Sequence, residues 1–331
     1  MSDSSDFWKG KRVFVTGATG LVGSWLSREL VERGAVVVAL VMDADPFSEL
    51  YRSGYITRLH VVNGRLEDFE TLERSILAHE CDTVIHLGAQ AIVSAAQRAP
   101  KPTFEANVQG TWNLLEACRL HTDLVESVVI ASSDKAYGEQ AELPYTEEMP
   151  LQGRQPYEVS KSCADLIAQS FFHAYGLPVA VARCGNIYGG GDLNWSRIVP
   201  GTIRSFHRGE SPLIRSDGQY IRDYIYVKDV CSAYLSLAEH LASPEVKGQA
   251  FNFSPESRVT VLDLVKEIGA LMRCEGLQPT VLNQARGEIR NQYLSSEKAQ
   301  RILGWQPGFT LQQGLAETID WYVKFFEEGQ I

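Results

Sequence analysis

The chain has 331 residues, 44% hydrophobic and 22% charged, which at roughly 150 residues per domain suggests about two domains with a sizeable core and excludes a disordered tail. Lysine and arginine total 31 against 41 aspartates and glutamates, a net charge of -10, which speaks against a generic nucleic-acid or anionic-membrane binder and favours small-molecule chemistry. No apolar run approaches the roughly 18 residues of a membrane span, and MSDSSDFWKGK lacks a secretory signal's basic segment and apolar core, so a cytoplasmic protein without nucleic-acid or membrane partners is expected.

Arg12 to Thr16 (RVFVT) is a short β-branched run, and Leu21, Trp25, Leu26 and Leu30 follow it at helical spacing. This predicts strand, glycine turn, helix. A second strand is predicted at Val36 to Val41, a third at Arg58 to Val62, a helix at Glu67 to His79 and a strand at Thr83 to Leu87. A helix around Asn107 to Leu120, a strand at Ser127 to Ala131, a helix at Tyr157 to Tyr175 and a strand at Val179 to Ala182 continue the alternation. Buried strands alternating with crossover helices imply an α/β fold, a doubly wound parallel sheet covered on both faces. Beyond Gly189 to Asp192 the pattern becomes irregular until a final helix at Leu311 to Phe326. The expected organisation is a dinucleotide-binding domain over 1–190, with a returning segment near 220–242, and a smaller mixed α/β substrate domain over 191–331.

Gly17, Gly20 and Gly23 in TGATGLVG lie between the first strand and the first helix. A phosphate-binding turn needs this placement: one glycine for the turn, one for backbone approach to a pyrophosphate, one for helix packing on the sheet. An acid at the end of the second strand selects NAD through the ribose hydroxyls. Asp43 is the acidic residue there, although it lies slightly beyond the expected position and also suits the start of a solvated loop.

Tyr157 and Lys161 in YEVSK are four apart on a predicted helix and share a face, where an ammonium can lower a phenol's pKa towards that of a general base. The spacing alone says little in a chain with 13 tyrosines. A second pair, Tyr224 and Lys228, lies in β-like sequence, where four residues span about 13 Å. Ser132, Ser133, Asp134 and Lys135 follow the fifth strand, placing polar groups at a strand's carboxyl end where doubly wound folds build sites. A capped turn would use the same residue types. The six cysteines, at 81, 118, 163, 184, 231 and 274, form no CxxC pair or zinc-type cluster. They read as reduced and mostly buried, and no metal is expected.

Together these residues resemble the extended short-chain dehydrogenase/reductase family of nucleotide-sugar epimerases and dehydratases, over nearly the whole chain. TGATGLVG resembles the family's cofactor turn, VIHLGAQ (Val84 to Gln90) its fourth-strand motif and NVQGTWNLLEA (Asn107 to Ala117) its following helix. YEVSK, RCGNIYGGGD (Arg183 to Asp192), SDGQYIRDYIYVKDV and the late LGWQP complete the match. SSDKAYG (Ser132 to Gly138) is most similar to the 4,6-dehydratases, particularly the CDP-glucose group, whose site carries an aspartate and a lysine together; simple 4-epimerases usually have no acid there. FWKGKRVFVTG and GSWL are similar to the same group, whereas GATGLVG departs from its usual glycine turn.

The resemblance implies a Rossmann domain that binds NAD. The turn residues Gly17, Thr19, Gly20, Leu21, Val22 and Gly23 would hold it, with Asp43, Leu66, Leu87, Gly88, Ala89, Tyr157 and Lys161. It implies a nucleotide-diphosphate hexose as substrate, met by Arg222 and Arg290 at the diphosphate, with Asn186 and Arg197 nearby and Gln90 and Ser94 at sugar hydroxyls. The competing, less favoured reading pairs them at the surface, Arg222 with Asp223 or Asp229 and Arg290 with Glu288, as ion pairs worth little. Asn107 resembles the family's structural asparagine, and Arg65 stands where many relatives have an adenine-binding aspartate.

The implied activity is that of a nucleotide-sugar 4,6-dehydratase converting CDP-glucose to CDP-4-keto-6-deoxyglucose. Tyr157 takes the C4 hydroxyl proton as hydride passes to NAD, assisted by Ser133 and Lys161. The ketone acidifies C5-H, the C6 hydroxyl departs and the hydride returns to C6. Asp134 is the implied acid; Lys135 replaces the usual glutamate base and serves only if its amine loses its proton. A 4-epimerase sharing Tyr157, and a non-catalytic dinucleotide-binding protein, are the competing readings. A homodimer is implied through the helices at Asn107 to Leu120 and Tyr157 to Tyr175, where Leu166, Phe171 and Phe172 suit either the interface or the core.

Overall fold

Runs of β-branched and small apolar residues build the framework of the computed structural model, which describes residues 7–284 and 288–329. β1 (Arg12–Thr16), β2 (Val36–Val41), β3 (His60–Asn63), β4 (Thr83–His86), β5 (Ser127–Ala131), β6 (Val179–Cys184) and a late strand, Ala250–Phe253, lie in one sheet. Their order is Ala250–Phe253, β6, β5, β4, β1, β2, β3, and each neighbouring pair is parallel. Side chains alternate across the sheet. Val15 and Val37 face an apolar layer with Leu26, Leu30 and Leu237, whereas Phe14 and Val38 face one with Leu72, Leu114 and Ala168. Both faces are therefore dry, which is why the strands are valine-rich rather than alternating with polar residues.

The third strand starts two residues later than its sequence suggests, because Tyr55–Arg58 closes a 3-10 turn before β3 begins at His60. The chain runs outward from β1 through β2 to β3, then restarts at β4 on the other side of β1 and runs outward to β6. Between β1 and β4 the connections diverge, which opens a crevice at the strands' carboxyl ends.

After β6 the strand Asn186–Tyr188 pairs in parallel with Tyr224–Tyr226. The helix Val227–His240 then returns to pack its Leu235, Leu237 and Ala238 into the layer that contains Leu26 and Leu30. The return extends further than 220–242, since Ala250–Phe253 enters the sheet beside β6. The remaining segments enclose a separate apolar cluster from the helices Ile198–His207, Val261–Leu271 and Leu311–Glu327, with Ile203, Leu264, Ile268, Leu315 and Tyr322 at its centre. Within it, Ile221–Arg222 lies between Val259–Thr260, antiparallel, and Asn291–Gln292, parallel. Among the described residues no helix is long and apolar enough to cross a membrane.

Candidate active site

The turn after β1 is lined by bare backbone. Gly17 has φ +71, and a Cβ there would lie 2.7 Å from Gly88 N. A Cβ on Gly23 would lie 2.0 Å from Gly17 O. The helix Leu21–Glu32 starts at Gly20 with no side-chain cap, so its first N–H groups and positive dipole end remain for an anion. These residues fit the pyrophosphate of a dinucleotide.

The other residues expected at a cofactor surround this crevice unevenly. Leu66 is buried and packs against Gly88 and Gly110. Leu87 N donates to Thr16 O at 3.2 Å and Gly88 N to Thr16 Oγ at 3.0 Å, which ties the loop Leu87–Gly88–Ala89 to the glycine turn. Asp43 stands exposed two residues past the end of β2, and Arg65 is exposed and pairs with Glu67 at 3.6 Å.

Tyr157 and Lys161 lie on the helix Pro156–Tyr175, which opens with proline and with Glu158 accepting from Arg154 N and Gln155 N. Both side chains are buried. The ammonium of Lys161 donates to Ala131 O at 2.7 Å, at the end of β5. The expected lowering of the phenol is not what this environment produces: burial pushes Tyr157 up to about 12, against the pull of the Ser133 hydroxyl and the Arg197 guanidinium. Burial also pushes Lys161 down to about 8, with Asp165 opposing. Desolvation exceeds the helix-face pairing that the spacing suggests.

Ser133 and Asp134, both buried, begin the short turn Asp134–Tyr137 directly beyond β5. Ser133 Oγ donates to Asp134 Oδ1 at 3.0 Å. Lys135 Nζ donates to the same Oδ1 at 3.1 Å and to Asn186 Oδ1 at 3.0 Å. Asp134 Oδ2 and Asn186 Nδ2 are buried without a partner among the described residues. One acceptor and one donor thus remain beside the serine, tyrosine and lysine, in an arrangement that can exchange protons with a sugar's hydroxyl and C–H groups.

The expected substrate ligands are partly engaged elsewhere. Gln90 is clasped through its backbone by Asn107, at 2.7 Å and 3.2 Å, and its side-chain oxygen accepts from Ile92 N at 3.0 Å. Ser94 is exposed on the helix Val93–Arg98. Arg197 pairs with Asp192 at 3.0 Å. Arg222 donates to the carbonyls of Ile221 and Arg290, both at 2.9 Å, and faces Glu288 at 3.7 Å. Arg290 is exposed and pairs with Asp217 at 3.3 Å. Arg222 thus meets Glu288 in place of the suggested Asp223 or Asp229, and Arg290 meets Asp217 in place of the suggested Glu288. Tyr220 lies under both guanidiniums, 5.3 Å from that of Arg222 and 5.8 Å from that of Arg290, so the two arginines flank one ring. Lys228 pairs with Glu317 at 2.6 Å, apart from this site.

Residues 13–253 match the family described as the NAD dependent epimerase/dehydratase family. The chain belongs to that family. It is 33% identical to the CDP-glucose 4,6-dehydratase of Salmonella typhimurium over 96% of this chain and 92% of that one. Its fold is similar to the dTDP-glucose 4,6-dehydratase DesIV of Streptomyces venezuelae, crystallised with NAD bound, at TM-score 0.85 and 26% identity, covering 95% of this chain and 97% of that one. It is similar to the UDP-glucose 4-epimerase of Thermotoga maritima, crystallised with UDP-glucose, also at TM-score 0.85, with 28% identity over 95% of this chain and 99% of that one. The two activities share this fold equally, so discrimination falls to the site.

Two networks beside the candidate site escaped the sequence reading. Thr16 Oγ accepts from Gly88 N and meets His86 Nδ1 at 2.7 Å, His86 Nε2 meets Thr111 Oγ at 3.1 Å, and Thr111 donates to Asn107 O at 2.6 Å. Asn107, in a π-turn over Glu105–Gln109, donates to Ser160 Oγ at 2.9 Å. This relay joins the glycine turn to the helix that carries Tyr157 and Lys161. Beneath that helix, Arg183 is buried against Asp165 in a two-point ion pair at 2.8 Å and 2.9 Å, and donates to Tyr137 Oη at 2.7 Å. VIHLGAQ and RCGN contain His86 and Arg183, but their partners are distant in sequence.

Proposed function

We propose that this protein is a nucleotide-sugar 4,6-dehydratase that converts CDP-glucose to CDP-4-keto-6-deoxyglucose with bound NAD. The observation that carries the reading is the Asp134–Lys135 pair beside Ser133 and Tyr157, with Asp134 Oδ2 left without a partner. Oxidation at C4 alone, as an epimerase performs, asks for no acid or base there; elimination of water asks for both. The similarity to a CDP-glucose enzyme supports the choice of nucleotide.

The glycine turn and the uncapped helix start at Gly20 would hold the pyrophosphate, with Leu66 and Leu87 to Ala89 beside the crevice and Asp43 near the ribose. When bound, NAD supplies reversible hydride transfer. Because burial raises the Tyr157 phenol, it takes the proton of the sugar's C4 hydroxyl as the phenolate, and Ser133 beside it orients that hydroxyl. Lys161 holds the strand end at Ala131 in place.

Lys135 and Asp134, joined by a 3.1 Å hydrogen bond, set a nitrogen and a carboxyl side by side where the elimination needs a base and an acid. The amine of Lys135 removes the C5 proton and the acid of Asp134 protonates the departing C6 hydroxyl, which leaves as water. Asn186, the second partner of the Lys135 amine, holds it beside the sugar. Arg222 and Arg290 exchange their carboxylate partners for the diphosphate.

The protein forms a homodimer through its two long neighbouring helices, Gly110–Leu120 and Pro156–Tyr175, which expose Trp112 and Leu166. The function is tested by incubating the protein and NAD with CDP-glucose, UDP-glucose, dTDP-glucose and GDP-mannose separately, and weighing the products. Loss of one water from CDP-glucose with no net NADH is expected. Unchanged mass with a new C4 stereoisomer would replace this reading by an epimerase.

A further inference from the structure

A buried carboxylate outside the acid–base set lies where three parts of the site meet. Asp223 is wholly buried. Its backbone carbonyl accepts from Asn186 N at 2.8 Å, and Asn186 in turn holds Lys135. That approach is close enough that a Cβ on Gly185 would stand 2.8 Å from the same carbonyl.

The side chain reaches the other way. Asp223 Oδ2 accepts from Ser254 Oγ and from Leu294 N, the latter at 3.3 Å. Leu294 follows the short strand Asn291–Gln292, which runs beside Ile221–Arg222, and Ile221 N and Arg222 Nη1 both donate to Arg290 O, at 3.2 Å and 2.9 Å. Ser254 and Ser296 close the clamp reciprocally. Ser254 N donates to Ser296 Oγ at 3.0 Å, and Ser296 Oγ donates to Ser254 O at 2.7 Å. Asp223 Oδ1 is buried without a partner among the described residues.

We propose that Asp223 is a positioning residue for the nucleotide-sugar diphosphate. Through Leu294 it fixes the backbone carrying Arg290 against the strand carrying Arg222, and through its carbonyl it fixes Asn186 and therefore Lys135. One residue thus sets the distance between the phosphate-binding end and the reacting end. The inference rests on the reading of Arg222 and Arg290 as diphosphate ligands. Burial, with Asp134 and Glu256 adding to it, pushes the Asp223 carboxyl up to about 7 against the pull of Ser254 and Leu294. An asparagine, whose amide oxygen accepts the same two bonds, is therefore a close stand-in for the protonated form.

The test compares Asp223→Ala and Asp223→Asn with the wild-type protein by calorimetric titration of CDP and, separately, of NAD, and by hydrogen exchange at residues 290–296. Asp223→Ala is expected to weaken CDP binding at least about tenfold while NAD affinity stays within about twofold. Exchange at Leu294 should quicken at least about tenfold, and Asp223→Asn should restore both readouts to within about threefold. CDP affinity unchanged in Asp223→Ala overturns the proposal. So does equal loss of CDP and NAD, the sign of a generally loosened fold, and so does failure of the asparagine to rescue. Wild-type protein that binds none of CDP, UDP and dTDP removes the nucleotide-sugar reading instead; the exchange arm still decides whether Asp223 clamps Leu294, and unchanged exchange there overturns the clamp.

Discussion

Ser133 donates to Asp134 and influences the Tyr157 phenol, yet the chemistry proposed for Asp134 and Tyr157 divides by step. Removing the phenol oxygen takes away the proposed acceptor of the C4 proton, so Tyr157→Phe should abolish formation of the 4-ketone. Asp134→Asn keeps the shape and loses the acid. It should slow water loss by about 100-fold, the lower range for a general acid, while leaving C4 oxidation closer to wild type. Single-turnover traces of NADH and of dehydrated sugar separate the two, and equal slowing of both steps in Asp134→Asn would count against an acid role. His86 offers a test of a different kind. Buried between two threonines, its imidazole is pushed down to about 3 from 6.5. The folded state therefore keeps it neutral where the unfolded chain takes a proton, so stability is full above pH 6.5 and is lost as the pH falls towards 3. The limit of that loss is about 5 kcal/mol. The gap between urea midpoints at about pH 4 and about pH 7 should be smaller for His86→Gln, which cannot titrate at this position, than for the wild type; an equal gap would remove His86 as a source of acid sensitivity.

At the scale of elements, what the sequence made readable was whatever is local. The glycine turn, the Tyr157 helix with its proline start, and the valine-rich strands each declare themselves within a dozen residues, because turn chemistry and side-chain period act at that range. The strand Ala250–Phe253 does not: four residues, AFNF, owe their conformation to pairing with β6, which precedes them by about 70 residues. The same holds for Asp223 and Leu294, 71 residues apart, and for Arg183 and Asp165, whose ion pair crosses from a strand to the helix carrying Tyr157. The three apolar residues for which core and interface were both open differ in their packing. Phe171 and Phe172 lie half-buried against the layer containing Leu114 and Ala168, whereas Leu166 is 56% exposed and Trp112 45% exposed on the adjoining helix. Apolar side chains of that size left uncovered on neighbouring helices suit a twofold contact. Leu166→Glu should shift the protein to monomer in sedimentation velocity with its circular dichroism unchanged, and a wild-type protein that already sediments as a monomer would end the dimer reading.

For the molecule as a whole, the question is what joins the sheet to the substrate-side segments. Three indole hydrogen bonds contribute to tying the returning and terminal segments to the sheet: Trp8 to Glu239 at 2.6 Å, Trp25 to Gly190 O at 2.7 Å, and Trp321 to Glu49 at 2.7 Å. The last lies beside Arg52, whose guanidinium stacks 4.8 Å from the Trp321 ring and 4.7 Å from that of Phe325. Glu49 and Arg52 belong to the short helix that follows the loop carrying Asp43, so the terminal helix is fastened next to the expected ribose end of the cofactor crevice. Burial pushes the Glu49 carboxyl up, and the Trp321 N–H and Arg52 hold it down. Removing the indole therefore takes away packing, a cation–π contact and the partner of a buried carboxylate together. Trp321→Ala should cost about 3 kcal/mol, the low end for a tryptophan truncation because the ring is only partly buried. If this contact is what makes the two parts unfold together, calorimetry should show one transition in the wild type and two in Trp321→Ala, with the substrate-side part melting first. A variant that keeps a single transition, lowered only in temperature, would mean that Trp8, Trp25 and the Ala250–Phe253 strand suffice to couple them.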